Sequence, residues 1–189
     1  MKKAFTFSMV VTIFLAFGPL YGAEPVRNIS PAFHSFLAAA QTYGVEAFNW
    51  LTRAQIANDW DLQGHAKNAK ALLGQANDEL KLAAEVSNEN GANSKQPVSS
   101  AVGAGGQLQN QNVNKDSHPF LFYAQVRMAG AYTSIWEAQQ ANMYNLQGHA
   151  KNAKALLQQA MDELNLATQA SDQGKPVSAA PSVDSAGGM

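Results

Sequence analysis

The groups in this chain that could hold a metal or move protons are four histidines and fourteen acids, and there is no cysteine. The histidines form two pairs, His34 with His118 and His65 with His149, each separated by 84 residues. If each pair met at one end of a helical bundle, two imidazoles would face a divalent transition metal. Ferritin-type bundles build such sites from Glu-x-x-His on facing helices. This chain has neither Glu-x-x-His nor His-x-x-x-His. Asp61 precedes His65 by four, but Asn145 stands at the matching place before His149. His65 and His149 are therefore the metal candidates, with a thin donor set. The plainer reading makes them polar residues in the first turn of a helix.

Lys67, Lys70, Lys151 and Lys154 are the anion or partner candidates. They lie near two expected helix starts, where the macrodipole disfavours cations. Breaking that preference twice suits an anionic ligand drawn to exposed N–H groups, and two solvated lysine pairs account for it more simply. Gln41, Gln55, Asn58, Gln125, Gln139 and Asn142 lie on or beside apolar stripes, where buried amides set register. No Gly-x-Ser-x-Gly and no Ser-x-x-Lys occurs. Asp78-Glu79 and Asp162-Glu163 are the only acids matched 84 residues apart. Neighbouring helical residues point about 100° apart, so such a dipeptide is a poor acid–base pair. No catalytic residue is expected, and the chain reads as no enzyme.

The elements that must position these groups come from an internal duplication. Shifted by 84, His34–Ser87 aligns with His118–Ser171 at 30 identities in 54 pairs. Leu62 to Leu73 recurs letter for letter as Leu146 to Leu157, whereas 42–53 keeps one residue of twelve, Ala47 with Ala131. Either the first block is constrained, or a local copying event refreshed it.

Each copy reads as a helical hairpin. Leu37, Ala40, Gly44, Ala47, Leu51, Ala54 and Asn58 alternate by three and four, as do Leu121, Ala124, Met128, Ala131, Ile135, Ala138 and Asn142. Such a stripe is a heptad seam, with Ala at each d position. The second halves carry Leu62, Ala66, Ala69, Leu73, Ala76, Leu80 and Ala83, matched by Leu146 through Ala167. This seam is one residue late relative to the first, which rotates the face by about 100° and breaks the helix near Trp60–Gly64. Asp61 and Asn145 suit the turn, and Gly64 and Gly148 supply backbone freedom. Ser30-Pro31 and Ser117 mark the helix starts.

The expected fold is all-α: two homologous antiparallel hairpins forming an up-down-up-down four-helix bundle. That arrangement gathers both turns, His65, His149, Trp60, Tyr144 and the four lysines at one end. The expected domains are a signal peptide (1–23), hairpin one (24–87), a flexible linker (88–117), hairpin two (118–171) and a disordered tail (172–189). Met1-Lys2-Lys3, an apolar run from Ala4 to Phe17 and Tyr21-Gly22-Ala23 follow the pattern of a cleaved secretory signal. Fourteen apolar residues are too few to span a bilayer, which needs about 20. The linker and tail are rich in Asn, Gln, Gly and Ser, too polar to offset their ordering entropy.

Charged residues are only 14% and the formal net charge is −1, without basic runs. A nucleic-acid partner, which requires a cationic stripe, is excluded on that ground. The expected partner is a protein or a small anionic ligand, without stable membrane insertion after signal cleavage.

The spacing of Gly64, Ala69, Leu72, Ala76 and Leu80 resembles the second helix of helical-hairpin repeats such as the tetratricopeptide repeat, whose period is shorter. The signal segment with Ala-rich hairpins and Gly at the turn resembles the YfdX family of bacterial secreted helical proteins. Gly64-His65-Ala66 is similar to the turn of small periplasmic metal-binding helical proteins. The resemblance implies a stress-related role; with the signal segment and the absent catalytic motifs, the chain reads as a non-enzymatic periplasmic or secreted bacterial interaction or stress-related protein. The alternative reading is a periplasmic metal-binding protein using the paired histidines.

Overall fold

The computed structural model describes residues 23–58, 61–89, 107–141 and 145–174. The signal-like segment to Gly22, most of the linker, the tail from residue 175, Trp60, Asn142 and Tyr144 lie outside the described residues. Four helices follow the expected halves: α1 (Ser35–Ala57), α2 (His65–Glu89), α3 (Pro119–Ala141) and α4 (His149–Gly174). Every a and d residue of the α2 and α4 seams is buried, as are Leu37, Ala40, Ala47, Leu51 and Ala54 of α1. Alanine at d brings the backbones close, and the leucines, Met128 and Ile135 fill the layers between.

The phase break is made by a left-handed turn. In Asp61–Gly64, Leu62, Gln63 and Gly64 take φ of 50°, 54° and 84°. Leu146, Gln147 and Gly148 repeat this at 49°, 50° and 91°. A side chain at positive φ costs about 1–2 kcal/mol. Leu62 and Leu146, each 1% exposed, offset that strain by burying a full side chain, a gain of about 1.5–3 kcal/mol. Gly64 and Gly148 carry the largest φ, where a side chain would be strained most.

Helix entry differs from the sequence reading. Ser30 accepts hydrogen bonds from the Phe33 and His34 amides, so Ser30-Pro31 opens a separate turn and α1 begins at Ser35 behind His34. In copy two, the Asn114 side chain accepts from the Asp116 and Ser117 amides. That Asx turn precedes α3 where a Ser117 cap was expected.

The segments leading into α1 and α3 are also packed. Gln41, 1% exposed, accepts from the Asn28 and Ile29 amides at 2.7 and 2.9 Å and donates to Asn77 at 2.8 Å. Gln125 accepts from the Val113 amide at 2.9 Å, and Leu108 and Val113 are buried. Residues 107–117 thus belong to the bundle, although the sequence placed them in a flexible linker. Their two apolar side chains and the Gln125 bond offset the ordering cost that their polar neighbours alone could not.

The all-α class and the four-helix bundle of homologous antiparallel hairpins are as expected. The direction of the second hairpin is not. Tyr43 packs beside Gly130, Glu46 meets Arg127, and Trp50 meets Tyr123, so α1 and α3 run antiparallel. His65 meets Glu163 and His149 meets Glu79, so α2 and α4 do too. The order is up-down-down-up, and the turns lie at opposite ends. The first turn sits beside the end of α4, where Ser171 donates to Asn58 at 3.1 Å. Both arrangements bury the same seams and can keep neighbouring helices antiparallel; they differ in which helices are neighbours, here α1 with α3 and α2 with α4, and in where the turns lie.

The turn geometry predicts opposite effects at adjacent positions. Gln63→Gly, at an exposed strained residue, should raise unfolding stability by about 0.5–1 kcal/mol. Leu62→Gly should lower it by about 2–4 kcal/mol through lost burial. Urea denaturation of the two variants measures both.

Candidate functional site

Neither α2 nor α4 carries an acid in its first turn, where one would complement the positive end of the macrodipole. The other hairpin supplies one. Nδ1 of His65, the first residue of α2, lies 2.8 Å from Glu163 Oε2, and Asn68 Nδ2 donates to the same oxygen at 3.3 Å. His149 Nδ1 lies 2.8 Å from Glu79 Oε2, and Asn152 Nδ2 donates to it at 3.4 Å. With a carboxylate as acceptor, Nδ1 is the nitrogen that carries the proton. Each clasp is about one-quarter exposed. His149 and Glu163 stand 84 positions after His65 and Glu79, so exchanging the hairpins maps one clasp onto the other.

These clasps account for the matched acids. Glu79 and Glu163 are hairpin-to-hairpin ligands of the identical block, with Asp78 and Asp162 exposed beside them. The sequence signal was present, since His65, Asn68 and Glu79 all recur 84 residues on. The pairing across hairpins was not readable, because it joins residues 98 and 70 positions apart.

His65 and His149 do not meet. Each stands opposite a residue 14 positions along the other's helix, which puts them roughly 21 Å apart along the bundle. A metal site shared by both is therefore not assembled, and among the described residues no three His, Asp or Glu side chains converge as a metal-binding group. The other two histidines also separate: His34 Nε2 lies 2.9 Å from Asn88 Oδ1, and His118 Nε2 lies 3.0 Å from Asp172 Oδ1. These matched pairs tie the open end of each hairpin.

The four lysines also fail to cluster, because α2 and α4 start at opposite ends. Lys67 and Lys151 are exposed. Lys70 turns inward: it is 2% exposed, donates to Gln55 Oε1 at 3.0 Å and lies 4.5 Å over the Phe48 ring. Lys154 lies 5.3 Å over Tyr132, and burial pushes its pKa below the ordinary lysine value. Lys70 and Lys154 thus bind α1 and α3 aromatics of their own hairpins. Of the expected register amides, Gln41 and Gln125 anchor the entering segments. Asn58 instead closes the end of α1 by donating to Ala54 O at 2.8 Å.

The two long faces of the bundle differ. On the α1–α3 side the copies have diverged. Trp50 stacks on Tyr123 at 4.8 Å and on Phe120 at 6.1 Å, with Arg53 4.4 Å over the indole. At the places related by exchange, Tyr43 meets Gly130 on one side, and Arg127 Nε lies 2.9 Å from Glu46 Oε2 on the other, an ion pair without hydrogen-bond alignment.

The α2–α4 side is symmetric. Two open grooves of 470 and 480 Å³ repeat the same lining: Asn68, Ala71, Leu72, Gln159, Asp162 and Glu163 in one, Asn152, Ala155, Leu156, Gln75, Asp78 and Glu79 in the other. Leu166 lines the first groove, and its equivalent Leu82 is, like it, 41% exposed. Comparison with protein-family models, curated proteins and solved structures finds no match for this chain.

Two measurements check this geometry. A double-mutant cycle of His65→Ala with Glu163→Ala should show a coupling of about 0.5–1 kcal/mol in unfolding, and His65→Ala with His149→Ala should be additive. The lowered Lys154 pKa means that the folded state binds fewer protons than the unfolded one between its own pKa and the unfolded value near 10.5. Stability should therefore rise with pH across that alkaline window. Lys154→Met should flatten the rise in thermal melts.

Proposed function

We propose that the protein is a non-enzymatic helical interaction module, acting in the periplasm or after secretion, and that its working surface is the α2–α4 face. The observation that carries this reading is the fate of exposed residues. Between Lys67 and Leu82 the six positions exposed in both copies are identical: Lys67/Lys151, Asn68/Asn152, Ala71/Ala155, Gln75/Gln159, Asp78/Asp162 and Leu82/Leu166; only toward the open ends do exposed pairs differ, as Glu85/Gln169, Asn88/Asp172 and Glu89/Gln173. On the opposite face the two pairs exposed in both copies, Ser35/Pro119 and Ile56/Gln140, differ, as do the Asn49/Thr133 and Arg53/Glu137 pairs, exposed in one copy and half-buried in the other, and only Ala57/Ala141 is kept. Core packing explains why buried seams stay alike. It does not explain matched side chains in solvent, which a shared task on one surface does.

The chemistry of the surface supports binding rather than turnover. The histidines and matched glutamates join hairpins, and the grooves offer amides, acids and leucine edges around small alanines. Such a surface suits close approach of a partner's helix or loop. Among the described residues no helix is long and apolar enough to cross a membrane. That fits a module that docks from solution once its signal-like segment is removed.

Site-specific photo-crosslinking in the producing cell tests the face. A crosslinker at Gln75 or Gln159 should trap the same partner. At Asn49 or Val126, on the other face, it should trap none. Equal adducts from both faces, or none from either, count against the reading. Mass spectrometry of the fractionated protein should give Glu24 as the first residue; an intact Met1 in the membrane fraction would defeat the exported location.

A further inference from the structure

The α2–α4 part of the contact between the hairpins is self-complementary. Every polar bond of the α2–α4 clasps occurs twice, related by exchange of the copies, with matched distances of 2.8 and 2.8 Å and of 3.3 and 3.4 Å. The apolar seam obeys the same exchange: Leu73, Leu80 and Ala83 face the same core as Leu157, Leu164 and Ala167, all buried. Inside one chain, this is the geometry of an isologous dimer interface, where one patch meets its own equivalent. A hairpin without a partner leaves its Ala–Leu seam open to water.

The covalent connection is consistent with pairing inside or between chains. Gln109 bonds Gln158 on α4, which lies level with about residue 70 of α2 by the clasp register. From there to Glu89 is roughly 28 Å along the bundle. The 17 residues from 90 to 106 reach about 59 Å when extended, which is also long enough to lead to a neighbouring bundle.

We propose that the hairpin–hairpin surface takes a second copy of this chain, giving a closed exchanged dimer. Hairpin one of each molecule then pairs with hairpin two of the other. Each of the two resulting bundles keeps both His–Glu clasps, now formed between chains, so no contact of the single chain is lost. Tethering favours the monomer below the effective concentration that the connection sets, of order millimolar for short connections. Above it the exchanged form competes. The dimer carries two α2–α4 faces, although the proposal does not depend on what those faces bind.

The test uses full-length chains. Isotopically heavy and light protein are unfolded together, refolded over a range of concentrations and weighed by native mass spectrometry. Dimers of mixed mass should grow as concentration approaches the millimolar range. Monomers alone at every concentration overturn the proposal.

A second pair of variants asks whether the dimer uses this surface. One chain carries Glu79→Lys and Glu163→Lys; the other carries His65→Glu and His149→Glu. Alone, each chain sets His against Lys or Glu against Glu. In an exchanged pair every clasp again joins a carboxylate to a cation or imidazole. Co-refolding should enrich the mixed dimer by about tenfold or more over the two self-dimers, even where either chain alone folds poorly. A statistical mixture of dimers, or monomers only, refutes pairing through the clasps.

Discussion

The reciprocal contact between the first turns of α2 and α4 and the middle of each other's helix sets the geometry of this bundle. A helix that starts with His-Ala-Lys-Asn after a left-handed turn has no acid in its first turn. In each copy the acid comes from fourteen residues along the partner helix. For both helices to receive one, α2 and α4 must run antiparallel in a fixed register. That register places the two turns at opposite ends, brings α1 against α3, and separates the two histidines of each matched pair.

The same constraint separates a symmetric side of the molecule from an asymmetric one. On the α2–α4 side each clasp takes its imidazole from one copy and its carboxylate from the other, and both copies keep the same His, Asn and Glu. From Leu62 to Ser87 the copies agree at 20 of 26 positions, against 8 of 23 from Ser35 to Ala57. Across α1 and α3 the contacts are aromatic stacking, a ring on a glycine, and an ion pair. None of these needs its mirror image, so that interface drifted while keeping its Ala seam.

Lysine placement follows from the same packing. A buried Lys70 looks anomalous in a seam built from Ala and Leu, but it lies one residue past the d position Ala69 and points at α1. There Gln55 and the Phe48 face receive it. Its equivalent Lys154 meets Tyr132 in a looser site. The pair are cations used inside each hairpin, and Lys67 and Lys151 remain at the surface.

Periodicity and repetition in the sequence determined the helices, the buried seams, the break of phase at the turns and the pairing of halves into hairpins. These follow because a 3.6-residue period marks which face is buried, and a one-residue slip cannot continue a single helix. Gly64 and Gly148 pointed to the turns, but the left-handed Leu62 and Gln63 were not legible, since neither residue favours positive φ by itself. Tertiary structure alone decided the direction of the second hairpin, the Glu partners of His65 and His149, the inward course of Lys70, and the packing of residues 107–117. Two seams with the same Ala pattern fit either direction, and the thirty residues between the copies reach both. The choice lay in side-chain bonds between residues 70 to 98 positions apart, which leave no periodic trace in the chain.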